Sequence, residues 1–260
     1  MQRKSKQTTF EQPIPLVMSP LADPVVGAIF SSMEQAGLAA ESLVGSILRE
    51  EGYTLGQITN VVPQRYYKAY PDMRGCRVDI FVDTLEGKKA IVEVQLAAEP
   101  ILIRNLFEVS QMIAAAIPLG TDVKELKDHM PHIIVINILN FDLRKDHQDY
   151  IQPVGFLYTK SPHTIAEDHI RIFNVQLPRF REQTHDLKKP LDAWLYLLDT
   201  AHQKKVSLKE VIAMEPILQE TIDLDAGLKQ FTEGYDKAAA DPEVQEEYRK
   251  YYSEILRMEG

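Results

Sequence analysis

The chain has 260 residues, of which 45% are hydrophobic and 26% charged, and its formal net charge is −9. These values are ordinary for a globular protein, and no apolar run approaches the roughly 20 residues of a membrane-spanning helix. The acidic balance argues against a general nucleic-acid coat protein, which must neutralise phosphates. It leaves room for a local basic groove, or for an acidic site that metal ions bridge to phosphate. With one cysteine, an internal disulfide framework is excluded, and a cytoplasmic location is expected.

The first part of the chain predicts two helices followed by a strand. Asp23 is a candidate N-cap for the first helix, with Pro24 in its first turn, and Gly52 is placed to end the second helix. Residues 57–67 follow as a predicted strand. Pro63 within it indicates a sheet edge or a strand end, because proline cannot donate to a central ladder.

The next segment predicts a hairpin and a buried helix. Strands at 77–83 and 89–95 flank a short turn, in which Gly87 tolerates a positive φ. Apolar residues then recur at helical spacing, which predicts a helix at about 100–117 with a wide buried face.

The remaining strands and helices complete a mixed architecture. Residues 131–141 are nearly all apolar and predict a central strand covered on both faces, and 153–160 and 169–180 predict two more strands. Acid-rich helices follow, the last with Asp241 as its predicted cap and Pro242 at its first position. We therefore predict an α/β or α+β core in which helices flank a mixed sheet.

Three segments divide the chain by composition. We expect a flexible N-terminal arm at 1–17, because its basic residues are not followed by the apolar segment of a secretory signal. The main domain is predicted at 18–200, and a C-terminal helical extension at 201–260.

The predicted hairpin carries acids where apolar residues would pack better. Pairing Asp83 with Lys89 places Asp79 opposite Glu93, with their Cβ atoms roughly 5 Å apart. Glu93 and Gln95 are two residues apart and so share one face of their strand.

Two opposed carboxylates repel each other, and their burial would raise at least one pKa. A divalent cation would compensate directly, because Mg²⁺ and Mn²⁺ prefer oxygen ligands and retain several waters. Asp79, Glu93 and a third oxygen donor would then form a carboxylate metal site. The alternative interpretation is a solvated outer face, on which such pairs are frequent.

The segment "RVDIFVDTLEGKKAIVEVQ", residues 77–95, resembles the core of the PD-(D/E)XK nuclease superfamily. More narrowly, it resembles the recombination-promoting nucleases and putative transposases of that superfamily. Their pattern of a strand Asp, a Gly-containing turn and an E-x-Q strand is matched by Asp79, Gly87, Glu93 and Gln95. The resemblance extends over about 18–200 through "SPLADPVVGAIF", "ESLVGSIL", "IRNLFEVSQMI", "MPHIIVINILNF" and "DAWLYLL".

The resemblance implies a restriction-endonuclease-like fold and a metal-dependent DNA endonuclease. Asp79 and Glu93 would hold Mg²⁺ or Mn²⁺, with the backbone carbonyl of Val94 as a further ligand. Gln95 occupies the position where many superfamily members have Lys. It can orient a water through its amide but supplies no positive charge. Some members place an extra acid on the second helix, where this chain has Glu41.

Several other polar residues have two interpretations each. Arg104 and Gln111, on one face of the helix after the E-x-Q strand, are candidates for nucleic-acid contact, and a surface salt bridge is the alternative for Arg104. Glu41 is either a metal ligand or, as we favour, an exposed surface residue. Asp83, on the same strand face as Asp79, is either a supporting acid of the site or, as we favour, the polar end of its strand. Asp72 could supply the Asp of the motif, but Asp79 has the better spacing to Glu93, so we interpret Asp72 as part of a loop.

Three hypotheses on function follow. The first is a Mg²⁺-dependent deoxyribonuclease that hydrolyses phosphodiesters. The second is a catalytically weak protein of the same fold that binds nucleic acid or a protein partner. The third is an assembly role, in which the helical tail forms a homo-oligomer. DNA is the expected partner of the first hypothesis, and no membrane association is expected.

Overall fold

A computed structural model describes residues 17–31, 33–68, 74–143 and 146–259, so Asp72 and positions 1–16 of the predicted arm lie outside the described residues. The described chain forms one mixed six-stranded sheet with helices on both faces, which confirms the predicted fold class. The strands are β1 (Ile58–Tyr67), β2 (Cys76–Thr84), β3 (Lys88–Gln95), β4 (His132–Leu139), β5 (Ile151–Tyr158) and β6 (Ser161–Gln176).

The strand order is β1-β2-β3-β4-β6-β5. The strands β1, β2 and β3 are antiparallel neighbours, β4 runs parallel to both β3 and β6, and β5 pairs antiparallel with β6. The apolar strand β4 is central, as its sequence predicts, and β1 is an edge strand that accommodates Pro63.

The helices described are α1 (Asp23–Ile29), α2 (Met33–Glu50), α3 (Ile101–Ala116), α4 (Leu126–His129), α5 (Leu177–Arg181), α6 (Pro190–Lys204), α7 (Leu208–Met214), α8 (Ile217–Leu224), α9 (Ala226–Ala240) and α10 (Pro242–Glu259). The helix predicted at about 100–117 is α3. The predicted start of α10 is also confirmed, because the Glu243 N–H donates to Asp241 Oδ1 at 2.8 Å.

The prediction that Asp23 caps α1 is wrong by one residue. The N-cap is Ala22, which offers no side-chain hydrogen bond, and Asp23 is the first residue of the helix. The carboxylate of Asp23 lies 3.8 Å from the guanidinium of Arg77, and it lines the cavity described below instead of capping the backbone.

The sheet separates two hydrophobic clusters. The smaller one lies under α3 and includes Phe81, Ile91, Val135 and Met112. The larger one covers the opposite face and is built with residues of α1, α2 and α6 to α9. This arrangement is a three-layer sandwich, in which α3 packs on one face of the sheet, against β1 and β2, and bonds β4 through Asn105.

The C-terminal helices contribute to the larger cluster. Buried residues of this region are Leu208, Val211, Leu218, Ile222, Leu228, Phe231, Tyr235, Ala238 and Tyr248. Helix α9 packs closely against α2 at Gly227, where an added Cβ would lie 2.3 Å from the Leu38 carbonyl oxygen. Helices α7 to α10, in the segment predicted as an extension, therefore contribute to the same core as the elements before them.

Candidate active site

The β2–β3 hairpin brings the two predicted acids together. Backbone pairs run from Asp83 with Lys89 to Ile80 with Val92, in the register that the sequence predicts. Beyond them, side chains continue the hydrogen bonding. The Asp79 N–H donates to Glu93 Oε1 at 3.2 Å, and the Val94 N–H donates to Asp79 Oδ2 at 2.9 Å.

Both carboxylates are buried. Asp79 is 8% exposed and Glu93 is 0% exposed, so the alternative of a solvated outer face does not hold. Burial of an ionised carboxylate is costly unless other groups compensate it. The surroundings of the pair should therefore contain a positive charge.

Arg104, on the first turn of α3, provides that charge. Its Nη2 lies 2.6 Å from Glu93 Oε2, its Nη1 lies 2.8 Å from Glu99 Oε1, and its Nε lies 2.8 Å from Glu108 Oε1. Each donor nitrogen thus contacts a different carboxylate. The predicted exposed salt bridge of Arg104 is instead a half-buried contact inside the candidate site.

Glu108 is a member of the site that the sequence analysis did not select. It is 1% exposed, and its Oε2 is buried without a hydrogen-bond partner among the described residues. The available signal was its position four residues after Arg104, which places both side chains on one face of a helix.

The buried acids hold their protons more strongly than free carboxylic acids do. Burial, and next the negative charge of Asp23, raise the pKa of Asp79 to about 7. Burial, and next the charge of Asp79, raise the pKa of Glu93. Burial also raises the pKa of Glu108. Burial opposes the charge of Arg104, but Glu93 and Glu108 outweigh it and raise the pKa of the guanidinium.

The predicted third motif residue lies beside the pair. Gln95 is half-buried, and its Nε2 is 3.5 Å from Glu93 Oε2, at the limit of a hydrogen bond. Asp79, Val94, Gln95 and Arg104 all line one cavity of about 630 Å³. The cavity gives the motif residues other than the fully buried Glu93 a common open space.

Helix α10 also lines this cavity, which the sequence did not predict. Its contributing residues are Tyr248, Tyr251, Tyr252, Ile255 and Leu256. Burial, and next the carboxylates of Asp23 and Asp79, raise the pKa of Tyr251. The hydroxyl of Tyr248 accepts a hydrogen bond from the Ser19 N–H at 3.3 Å, which ties α10 to the segment before α1.

Two carboxylates lie side by side at this site, and carboxylate oxygens are the ligands that a divalent cation such as Mg²⁺ prefers. In the described part of the chain, no cluster of three or more His, Cys, Asp or Glu side chains is arranged to hold a metal ion. Two carboxylates and a backbone carbonyl are nonetheless sufficient for Mg²⁺, which keeps several waters as ligands. Asp79, Glu93 and the Val94 carbonyl are the candidates for that set, and Glu108 Oε2 lies buried nearby without a hydrogen-bond partner among the described residues.

The other predicted site residues lie apart from the pair. Glu41 is exposed on α2, as the favoured interpretation has it. Gln111 is buried within α3 and is therefore not on the protein surface. Asp83 is partly exposed and pairs with Lys89 Nζ at 2.7 Å, in agreement with its interpretation as the polar end of β2.

Comparison with family models identifies the chain. The model of the PD-(D/E)XK nuclease family transposases matches residues 25–253. The chain belongs to this family. Membership indicates a function of the nuclease or transposase type, and PD-(D/E)XK nucleases generally use divalent metal ions. Neither a curated protein nor a solved structure matches the chain.

The match includes the hairpin, α3 and the C-terminal helices up to residue 253. Within the described residues of this family member, no helix is long and apolar enough to cross a membrane.

Proposed function

We propose that the protein is a metal-dependent DNA endonuclease whose catalytic residues are Asp79, Glu93 and Gln95. The observation that carries this proposal is the burial of Asp79 and Glu93 side by side, next to a cavity, in a chain of a nuclease family. Two buried carboxylates destabilise a fold, so a protein that keeps them usually needs them for another reason. Ionisable groups with perturbed pKa values cluster at functional sites.

The metal and the side chains of the protein have separate roles in the proposed reaction. When bound, the metal supplies a polarised phosphoryl oxygen and an attacking water of lowered pKa. Asp79, Glu93 and the Val94 carbonyl would hold it. Gln95 orients the attacking water through its amide, and it adds no positive charge to the transition state.

The hydrogen bonds from the chain fix the geometry of these acids. The Val94 N–H holds one oxygen of Asp79, and the Asp79 N–H holds one oxygen of Glu93. Both bonds use backbone donors of rigid strands, so the acids are oriented before any ligand arrives. Such preorganisation is the main way in which a protein site lowers an activation barrier.

The experiment is cleavage of plasmid and oligonucleotide DNA by purified protein with Mg²⁺, Mn²⁺ or EDTA. We expect cleavage by the wild type that requires the metal, and a loss of about 10²-fold or more in Asp79→Asn and Glu93→Gln. Asp83→Asn is the matched control, because it removes a partly exposed carboxylate of the same strand. Equal cleavage by Asp79→Asn and the wild type would remove the pair from the mechanism.

A second candidate function is a DNA-binding protein with little or no cleavage. Two observations favour it: Gln95 brings no charge, and Arg104 already occupies one oxygen of Glu93. This candidate predicts that wild-type protein binds DNA with the same affinity in Mg²⁺ and in EDTA and cuts none. Cleavage that disappears in Asp79→Asn would exclude it.

A further inference from the structure

Arg104 closes the way from the cavity to Glu93. Glu93 has no exposed surface, whereas the side chain of Arg104 is 32% exposed and lines the cavity. Both oxygens of Glu93 are engaged, Oε1 by the Asp79 N–H and Oε2 by Arg104 Nη2. A cation from solvent therefore meets the guanidinium before it reaches this carboxylate.

The other two contacts of Arg104 anchor its side chain independently of Glu93. Nη1 and Nε are held by Glu99 and Glu108, which precede and follow Arg104 on the chain. The guanidinium can therefore give up the bond to Glu93 and still keep two charge-assisted hydrogen bonds. Such bonds are among the stronger ones in proteins, so the displaced side chain remains ordered.

We propose that Arg104 is a built-in counter-ion that occupies the cation position at Glu93 in the metal-free protein and yields it when a divalent ion binds. This inference rests on the proposed function, since it assumes that Glu93 is a metal ligand. Arg104 is then a positioning residue: it holds Oε2 of Glu93 in place, and it lowers the apparent affinity for metal by competing for the same oxygen.

The direct test is Mn²⁺ binding to the Arg104→Met variant, measured by calorimetry and by electron paramagnetic resonance. Removing the competitor leaves Glu93 without a counter-ion, so Mn²⁺ should bind at least about tenfold more tightly than to the wild type. The Tm of the variant should be lower than that of the wild type without metal, and Mn²⁺ should raise it by more. Arg104→Lys keeps a charge but loses the fork of donors, and it should give an intermediate affinity.

Arg181→Met is the matched control. Arg181 also pairs with a buried carboxylate, Asp199, at 2.7 Å, and its side chain is 36% exposed, but it does not line the cavity. This control should lose stability to a similar extent and bind Mn²⁺ with wild-type affinity. A stabilising effect of Mn²⁺ that is equal in both variants would overturn the inference.

A measurement on the wild type covers the case in which Arg104→Met does not fold. Titration with Mg²⁺, followed by nuclear magnetic resonance of the arginine side-chain N–H groups, should shift the Arg104 signal with the midpoint of metal binding. Metal binding without a change in that signal would overturn the inference and leave the proposed function intact. If neither Mg²⁺ nor Mn²⁺ binds the wild type, both the inference and the metal-dependent function are wrong.

Discussion

At the scale of single residues, the site concentrates more negative charge than its cation balances. Asp79, Glu93 and Glu108 are nearly inaccessible to solvent, and Arg104 is the guanidinium that the structure places among them. Charges removed from water interact strongly, and their desolvation favours the protonated form of each acid. The consequence is a site that binds protons in the absence of metal, and whose acids must lose them to bind a cation.

The stability of the metal-free protein should depend on pH through Asp79. Burial raises its pKa from 3.8 to about 7, so between these values the folded state binds more protons than the unfolded state. This contribution therefore destabilises the fold increasingly as the pH rises from about 4 to about 7. Asp79→Asn lacks this contribution. We therefore expect the free energy of unfolding of the variant, minus that of the wild type, to increase as the pH rises over this interval.

The measurement is urea denaturation of both proteins in EDTA at several pH values. The increase in the free energy of unfolding of Asp79→Asn over that of the wild type has an upper limit of about 4 kcal/mol. The limit follows because the pKa of Asp79 rises from 3.8 to about 7, and one pKa unit corresponds to about 1.4 kcal/mol. Asp83→Asn, on the same strand, is the control, and it should not reproduce the increase expected for Asp79→Asn. A difference between Asp79→Asn and the wild type that stays constant or shrinks as the pH rises contradicts this account of Asp79.

At the scale of elements, α3 is fixed on the sheet by a row of buried amides. Asn105 of α3 exchanges hydrogen bonds with Asn137 of β4 at 3.1 and 2.8 Å, and Asn137 also donates to Asn174 of β6 at 2.8 Å. Asn105 and Asn137 have no exposed surface. Because Asn105 follows Arg104 directly, this row also determines where the guanidinium meets Glu93.

We expect Asn105→Ala to reduce the free energy of unfolding by about 2–3 kcal/mol, because it removes the two hydrogen bonds between Asn105 and the buried amide of Asn137. Ser110→Ala is the control on the same helix. Its hydroxyl bonds only the preceding turn and is exposed, so the loss should stay below about 0.5 kcal/mol. Chemical denaturation of the two variants beside the wild type makes the comparison. Similar stabilities for both would mean that the amide row does not anchor α3.

At the scale of the whole molecule, the candidate site combines distant parts of the chain. The hairpin supplies the acids, α3 supplies Arg104, and α10, far along the chain, supplies part of the cavity wall. Because the C-terminal helices pack into the main core, this wall is part of the domain. Under the proposed function, a nucleic-acid backbone has to reach Asp79 past or between these elements.

The sequence predicted the parts of this arrangement that depend on local pattern. The register of β2 and β3 followed from the turn at Gly87, whose φ is 78°, and from the alternation of side chains along each strand. The apolar run of β4 predicted a strand buried on both faces. These features depend on neighbours in the chain, which is why the pattern was sufficient.

The remaining parts depend on how elements dock against each other. The contact between Arg104 and Glu93 requires the position of α3 over β3, and the wall of tyrosines requires the path of the chain after α6. Neither contact follows from a repeating pattern of neighbouring residues in the sequence. The amphipathic pattern of α10 predicts that one face is covered, but it does not identify the residues that it faces.

The most direct test of the central claim is a crystal of the protein soaked in Mn²⁺ and measured for anomalous scattering. The account predicts one peak within coordination distance of the Asp79 and Glu93 carboxylates and the Val94 carbonyl oxygen, with Arg104 moved away from Glu93. The peak should be absent from Glu93→Gln crystals treated in the same way. A wild-type crystal in which Arg104 still holds Glu93 and no peak lies between β2 and β3 would contradict the account.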